Sequence, residues 1–365
     1  MMTTMKQFFP MILAALAVVA CSTDDQYDLD YFTQRYKQSE TPEPEPQPAE
    51  PDTFYVAIAY SGATATLTGD VDKVTVSKPG ADVTITSTTD KYLQLTLSGA
   101  TTDGSLLVNS EKAWGLVLNG VSINNQDGPA INNQCSKWLY VTLADGTENT
   151  LSDGETYAER DIDQKGTLFS EGQIQILGNG LLTVNASAKN GIASDDYIVI
   201  DGGTLVIDVN SDGGRGIKVN DGLTINGGNT TITTSGDCKI ETKDGVRDTT
   251  SAAGIKSDSL FVMTDGMLTI TSKGDGGKGI NCSKNVEFKG GTLNITTTGS
   301  NDVGKPKGIK SDTGIIVSGG SFTVNVKKSW ALDNGNESED PADRLTIQGS
   351  PTTKTLQKRS VIVKY

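Results

Sequence analysis

The chain has 365 residues, 35% of them hydrophobic and only 6% aromatic, with 41 glycines and a formal net charge of −14. A conventional globular core of this size would use more large apolar residues, and so acidic a chain argues against binding nucleic acid or an anionic membrane surface. There is no histidine, which removes Ser-His-Asp hydrolases, Cys-His proteases and metal sites built on imidazole.

In chain order, Lys6 precedes an apolar run from Phe8 to Ala20 that ends at Cys21. A short apolar core closed by a small residue and a cysteine resembles a bacterial lipoprotein signal, cleaved before Cys21, which is then lipidated. An ordinary signal peptide is the alternative, and a transmembrane helix would need a longer span. Residues 1–20 carry one lysine and no acid, so their removal takes the net charge from −14 to −15. Asp24, Asp25, Asp28 and Asp30 resemble the export tag of surface-exposed lipoproteins. The expected location is the outer membrane, facing outward, with the membrane touched through the lipid anchor only. Residues 21–52 read as a tether, since proline alternates with acid from Glu40 to Pro48 and such a segment is extended and solvated.

Strands are expected from residue 53 to the end, as one domain. Thr64–Thr68, Val83–Ile85, Leu93–Leu97, Leu116–Ile123 and Leu139–Leu143 alternate or run apolar, and Gly99, Gly120 and Gly146 follow comparable strands. A tighter register holds over about 166–334. Gly-Ile, a strand, Gly-Gly and a second strand recur at Gly191, Gly216, Gly254, Gly279 and Gly308, with a weaker copy at Gly166. The steps from Gly166 onward are 25, 25, 38, 25 and 29 residues. Each unit offers three short apolar segments, such as Ile192, Ile198 with Ile200, and Leu205 with Ile207 and Val209. Glycine pairs stand at the corners, where positive φ is needed. Three short strands per coil, stacked on identical neighbours about 4.8 Å apart, make an all-β parallel β-helix; a β-sandwich would lack the shared register. The long step holds an insertion, roughly Ser235 to Ala253, of the kind that builds a binding face on one side of a solenoid. At the far end Trp330-Ala331-Leu332-Asp333 takes the slot of another Gly-Ile, and Leu345–Ile347 with Val361–Val363 are expected to close the stack. Of the cysteines past Cys21, Cys282 lies beside the inward Ile280 and is expected to be a buried free thiol. Cys238 falls in the insertion and is expected to be exposed; Cys135 has no assigned state.

Stacking turns equivalent positions into outward columns. Two residues after the repeat glycine the column reads Ala193, Lys218, Lys256, Asn281, Lys310; four after, it reads Asp195, Asn220, Asp258, Ser283, Asp312. Lysines this close repel unless carboxylates or an anionic ligand lie between them. The columns are therefore either a self-compensating ion-pair ladder or a groove for an acidic sugar chain, with Lys218, Lys256, Lys310 and Arg215 as its contacts. Asp212 and Asp275, each four residues before a repeat glycine, are turn residues of the kind that suit a hard ion such as calcium. Trp114, Trp138, Trp330 and Tyr197 are the aromatics available for stacking on sugar rings.

Gly-Ile-Lys-Ser-Asp at Gly254 and Gly308, and Gly-Ile-Ala-Ser-Asp at Gly191, each lead into strand, Gly-Gly and strand. The chain resembles the secreted bacterial carbohydrate-binding β-helix proteins (pectin- or cellulose-binding), related in fold to polysaccharide lyases. The resemblance implies a right-handed parallel β-helix, bound calcium and affinity for plant-type polysaccharides, including pectic ones. It places metal ligands on Asp195, Asp196, Asp212, Asp258, Asp275 and Asp312, while the motif lapses at Asn220 and Ser283. The expected function is a surface lipoprotein that binds acidic polysaccharide with calcium. The alternatives are a calcium-dependent polysaccharide lyase, with Lys218, Lys256, Lys310 or Arg215 as base, and a non-catalytic surface adhesin or structural protein.

Overall fold

The computed structural model describes residues 53–243, 245–300 and 303–365. The expected signal segment, the lipidated Cys21 and the tether through residue 52 lie outside the described residues. The described chain is all-β with mostly parallel strands and, among the described residues, no α-helix; two short 3₁₀ turns occur at Val71–Lys73 and Pro341–Arg344.

The strands fall into three ladders. The first runs through Ile131–Asn133, Gly166–Ser170, Asn190–Ser194, Arg215–Val219, Ala253–Ser257, Lys278–Cys282, Lys307–Ser311 and Trp330–Asp333, every neighbour parallel. The second starts at Leu139–Leu143 and continues through Ile174–Gly178, Tyr197–Ile200, Gly222–Ile225, Leu260–Met263, Val286–Phe288 and Ile315–Val317. The third takes Glu148–Asp153, Leu181–Ala186, Thr204–Val209, Asn229–Thr234, Met267–Ser272, Thr292–Thr297 and Ser321–Val326. Consecutive strands of the chain go to different ladders, and each pairs with its equivalent one repeat later.

Period-two alternation sends one face of each strand to a shared interior. Ile192, Ile217, Ile255, Ile280 and Ile309 from the first ladder meet Ile207, Ile232, Ile270, Ile295 and Val324 from the third, all buried in one hydrophobic cluster. The repeat glycine is dictated by this packing. A Cβ on Gly216 would lie 2.2 Å from Ile232 Cγ2 and 2.6 Å from the carbonyl oxygen of Gly254, so no larger residue fits. The Gly-Gly corners follow the other logic, the second glycine of each pair being left-handed, as at Gly228 (φ +73°).

The register corrects the first repeat copy. Gly166 pairs with Asn190 and Leu168 with Ile192, so Thr167, not Gly166, holds the repeat-glycine slot. The insertion is an antiparallel hairpin, Lys239–Lys243 with Val246–Thr250. Antiparallel hairpins also close both ends: Thr53–Ser61 with Thr64–Gly69, and Thr353–Gln357 with Ser360–Lys364, the last strand covering Ser321–Val326. Cys135, Cys238 and Cys282 are all free and buried, which corrects the exposed placement of Cys238. Its sulfur lies under the turn at Gly276, against the Val303 carbonyl.

Candidate functional site

The outward side of the first ladder carries the charged columns. Lys218 pairs with Lys256, Lys256 with Asn281, Asn281 with Lys310 and Lys310 with Asp333, so the lysine column stands in the expected register. These lysines do not stand free. Lys218 reaches Asp258 at 3.0 Å and Asn220 Oδ1, Lys256 reaches Asp258 at 2.6 Å and Ser283 Oγ at 3.0 Å, and Lys310 pairs with Asp312. Burial works against the Asp258 carboxylate, but the hydrogen bonds from Lys256 and Lys218 outweigh it and hold its pKa below the usual range. The self-compensating ladder is thus realised at these positions.

Beside it lies a second cation column, made by the residue just before each repeat glycine. Here Arg215 pairs with Ala253, Ala253 with Lys278 and Lys278 with Lys307. Lys307 is neutralised by Asp333 at 2.7 Å. Arg215 and Lys278 are not neutralised. The Arg215 guanidinium has no hydrogen-bonded or ion-paired partner among the described residues, and its Nε is buried and unpartnered. Burial lowers its pKa, with Asp258 the nearby charge in opposition. Among the described residues the Lys278 ammonium donates to the Ser251 hydroxyl. Burial first, then repulsion from Lys310 and Lys307, pushes its pKa down to about 8. The strip holds Arg215, Lys218, Lys256, Lys278, Lys307 and Lys310 against Asp258, Asp312 and Asp333, a local excess of positive charge on an acidic protein. Lys278 and Lys307 were not among the sequence candidates; the signal that could have found them is the basic residue preceding Gly216, Gly279 and Gly308.

The expected calcium ligands do not assemble into one centre. Asp258 and Asp312 are tied to lysines, and Asp196 accepts from Gln173. Asp212 Oδ1 accepts the Asp237 N–H at 2.9 Å, Asp237 Oδ1 the Asp275 N–H at 2.7 Å, and Asp275 Oδ1 the Ser300 N–H at 2.7 Å. That column fastens one repeat to the next. The bond from Ser300 N–H is the main reason the Asp275 pKa lies low. Only Asp195 joins a group of three carboxylates, with Asp163 and Glu171, their oxygens within 4.8 Å of one another. Lys165 bridges two of them, Asp163 at 2.5 Å and Asp195. Burial, then the charges of Asp195 and Asp163, raises the pKa of Glu171.

Two of the four aromatics are withdrawn. Trp114 is fully buried with its Nε1 donating to Asn133 Oδ1 at 2.9 Å, and Tyr197 is buried at 5% exposure against Thr224. Trp330 is partly exposed, but Arg344 and Lys358 lie over its ring, 4.0 Å and 4.4 Å from the centroid. Trp138 is partly exposed and stacks on Tyr140.

A model of the family described as "Carbohydrate-binding domain-containing protein" matches residues 79–349. A curated carbohydrate-binding domain-containing protein of Acetivibrio thermocellus is 34% identical over 143 residues, which is 38% of this chain and 48% of the relative. The chain therefore spans about half the length of that relative. Among solved structures, the polysaccharide lyase-like protein from C. thermocellum, as a gadolinium derivative, is similar with a TM-score of 0.56 and 27% identity. The match covers 72% of this chain and 96% of that one.

Proposed function

The chain belongs to the family of carbohydrate-binding domain-containing proteins, and from that premise we propose that it binds acidic, uronate-rich polysaccharide along the basic strip of the first ladder. In this reading the three ladders are the walls of a right-handed parallel β-helix, and the strip is a long open face on which an extended chain lies. The observation that carries the reading is the pair Arg215 and Lys278, two desolvated cations left without carboxylates on a protein of net charge −14. A partly buried cation without a carboxylate in contact is costly, and an anionic ligand supplies the missing charge. The short supply of accessible aromatics also favours recognition by charge over ring stacking.

Calcium belongs to the reading as an assistant. Asp163, Glu171 and Asp195 offer the hard oxygen donors it takes, and the Lys165 ammonium has to swing away to admit it. Residues 1–52 complete the picture as a lipidated leader and tether that display the domain on the outer membrane; substitution of Cys21 by alanine should then release the protein from membrane fractions.

The test is retention of the full chain on polygalacturonate and on neutral glucans, in calcium and in EDTA. Arg215→Ala and Lys278→Ala should each weaken retention on the acidic polymer by about tenfold, the size expected for one charge-assisted contact. Retention on neutral glucan alone, or retention indifferent to both substitutions, would overturn the strip as the binding face. Loss of binding in EDTA would assign calcium a part, and unchanged binding would leave the direct ion pairs as the mechanism.

A further inference from the structure

Between Asp153 and Gly166 the chain leaves the ladders and, with Lys189, borders an open surface pocket of about 710 Å³ whose lining side chains are mostly exposed or partly exposed. That size falls in the range of ordinary small-ligand sites. We propose that this pocket is a chain-end subsite, taking the terminal uronate residue of the polysaccharide whose interior lies along the basic strip. The proposal rests on the binding reading above and adds to it a second site with a different preference.

The position of the pocket is the first argument. Asn190 Nδ2 donates to the Lys165 carbonyl at 2.6 Å, and Asn190 Oδ1 accepts the Arg215 N–H at 3.1 Å. Gly166 pairs with Asn190 and Ile192 with Ile217, so those bonds place the Lys165 wall two repeats from Arg215 and Lys189 one repeat away, in line with the column that continues to Ala253 and Lys278. A sugar chain following the strip in that direction meets the loop and stops there.

The loop is fixed in place, which is the second argument. The buried Asp153 carboxylate accepts from the Tyr157 hydroxyl at 2.5 Å, the Thr167 hydroxyl at 2.8 Å and the Ser187 N–H at 2.6 Å. Gln164 Nε2 donates to the Ala158 carbonyl at 2.8 Å, and Asn132 Nδ2 to the Asp163 carbonyl at 3.0 Å. Three of these bonds hold the wall residues Tyr157, Ala158, Gln164 and Asp163 directly, and the other two fix the Asp153 anchor, so the wall is organised before a ligand arrives and little ordering cost falls on binding.

Chemistry supplies the third. Arg160 is committed to Asp127 at 3.2 Å, and Lys165 to Asp163 and Asp195. The Lys189 ammonium has no carboxylate partner among the described residues; it donates to the Gln164 carbonyl at 2.6 Å and lies 5.0 Å from the Tyr157 ring centroid. One such cation matches one carboxylate. The other lining charges are Glu159, Asp161 and Asp163 against Arg160 and Lys165, and together they offer both donors and acceptors, which is what sugar hydroxyls require.

Calorimetric titration with trigalacturonate, run beside retention on polygalacturonate, separates the two sites. The full chain should bind the trimer, and Lys189→Met should weaken that by about tenfold while changing polymer retention by less than about twofold. Arg215→Ala should do the reverse. Polymer retention by Lys189→Met also shows that the variant is folded. Equal trimer affinity of wild type and Lys189→Met, or equal losses of trimer and polymer, would overturn the subsite. A wild type retained on polymer but blind to the trimer overturns the subsite and leaves the strip standing, whereas a wild type retained on no acidic polymer overturns both.

Discussion

At the scale of single residues, Lys278 gives the strip a pH dependence. Its folded pKa is about 8, against an ordinary value of 10.5, because burial and the nearby Lys310 and Lys307 disfavour the ammonium, with Cys238 and Asp333 acting the other way. A lowered pKa means that the unfolded chain holds more protons than the folded one between about pH 8 and 10.5, so this group's contribution to stability rises with pH across that window. Anion binding goes the opposite way, since the charge an acidic glycan needs is lost over the same rise. Retention on polygalacturonate should therefore decline as pH climbs through about 8 in the wild type and stay level in Lys278→Arg, whose guanidinium keeps its proton. An identical decline in both proteins would assign the titration to another group. Lys218, Lys256 and Lys310, by contrast, are already answered by Asp258 and Asp312, and their removal should alter binding less than removal of Lys278.

At the scale of the element, a repeat glycine and the open, left-handed Gly120 predict different costs for the same substitution. Gly216→Ala drives a methyl into Ile232 and the Gly254 carbonyl, and should cost about 2–3 kcal/mol of stability through overpacking. Gly120→Ala meets no atom within 4 Å and is penalised only by its φ of +73°, at about 1–2 kcal/mol. Urea denaturation of the two variants checks the order; a Gly216→Ala protein as stable as wild type would mean that the first and third ladders do not pack as tightly as described. The strands themselves were legible because each repeat states the pattern again: apolar alternation, Gly-Ile and Gly-Gly recur together, and one copy corrects another. The first copy slipped by one residue since Thr167 replaces the glycine, its hydroxyl being used by Asp153. Trp114 and Tyr197 looked available for sugar because alternation alone does not say which face a residue at the start of a strand takes. Four of the six cations of the strip were legible for the same reason as the strands. Lys278 and Lys307 were missed because, on the side preceding the glycine, only the acid four residues back was aligned as a column and the basic residue directly before the glycine was not. The loop at 154–165 repeats nothing, so no neighbouring copy pointed to its pocket.

At the scale of the whole molecule, charge and closure are solved in different places. Forty-five acids against 31 basic residues leave the chain strongly negative, yet six of the cations gather on one strip, so in the proposed binding mode a polyanion would be repelled at a distance and held at contact. Salt shortens the repulsion more than it weakens the half-buried contacts, because screening acts mainly on exposed charges. Closure is a matter of edges. Parallel ladders of this length would end in a row of unpaired N–H and C=O groups, an open template for another chain. The Ser360–Lys364 strand covers that row by pairing antiparallel with Ser321–Val326, Phe322 opposite Val363 and Val324 opposite Val361. Val361 and Val363 are buried there and join the interior cluster. A chain truncated before Thr346 should expose both the edge and the apolar end of that cluster. Size-exclusion chromatography with light scattering should then show oligomers or aggregate where the intact chain gives one species, with a lowered melting temperature. A truncated protein that stays monodisperse and melts as before would show that the terminal hairpin only rests on the stack, and that the last parallel strands protect their own edge.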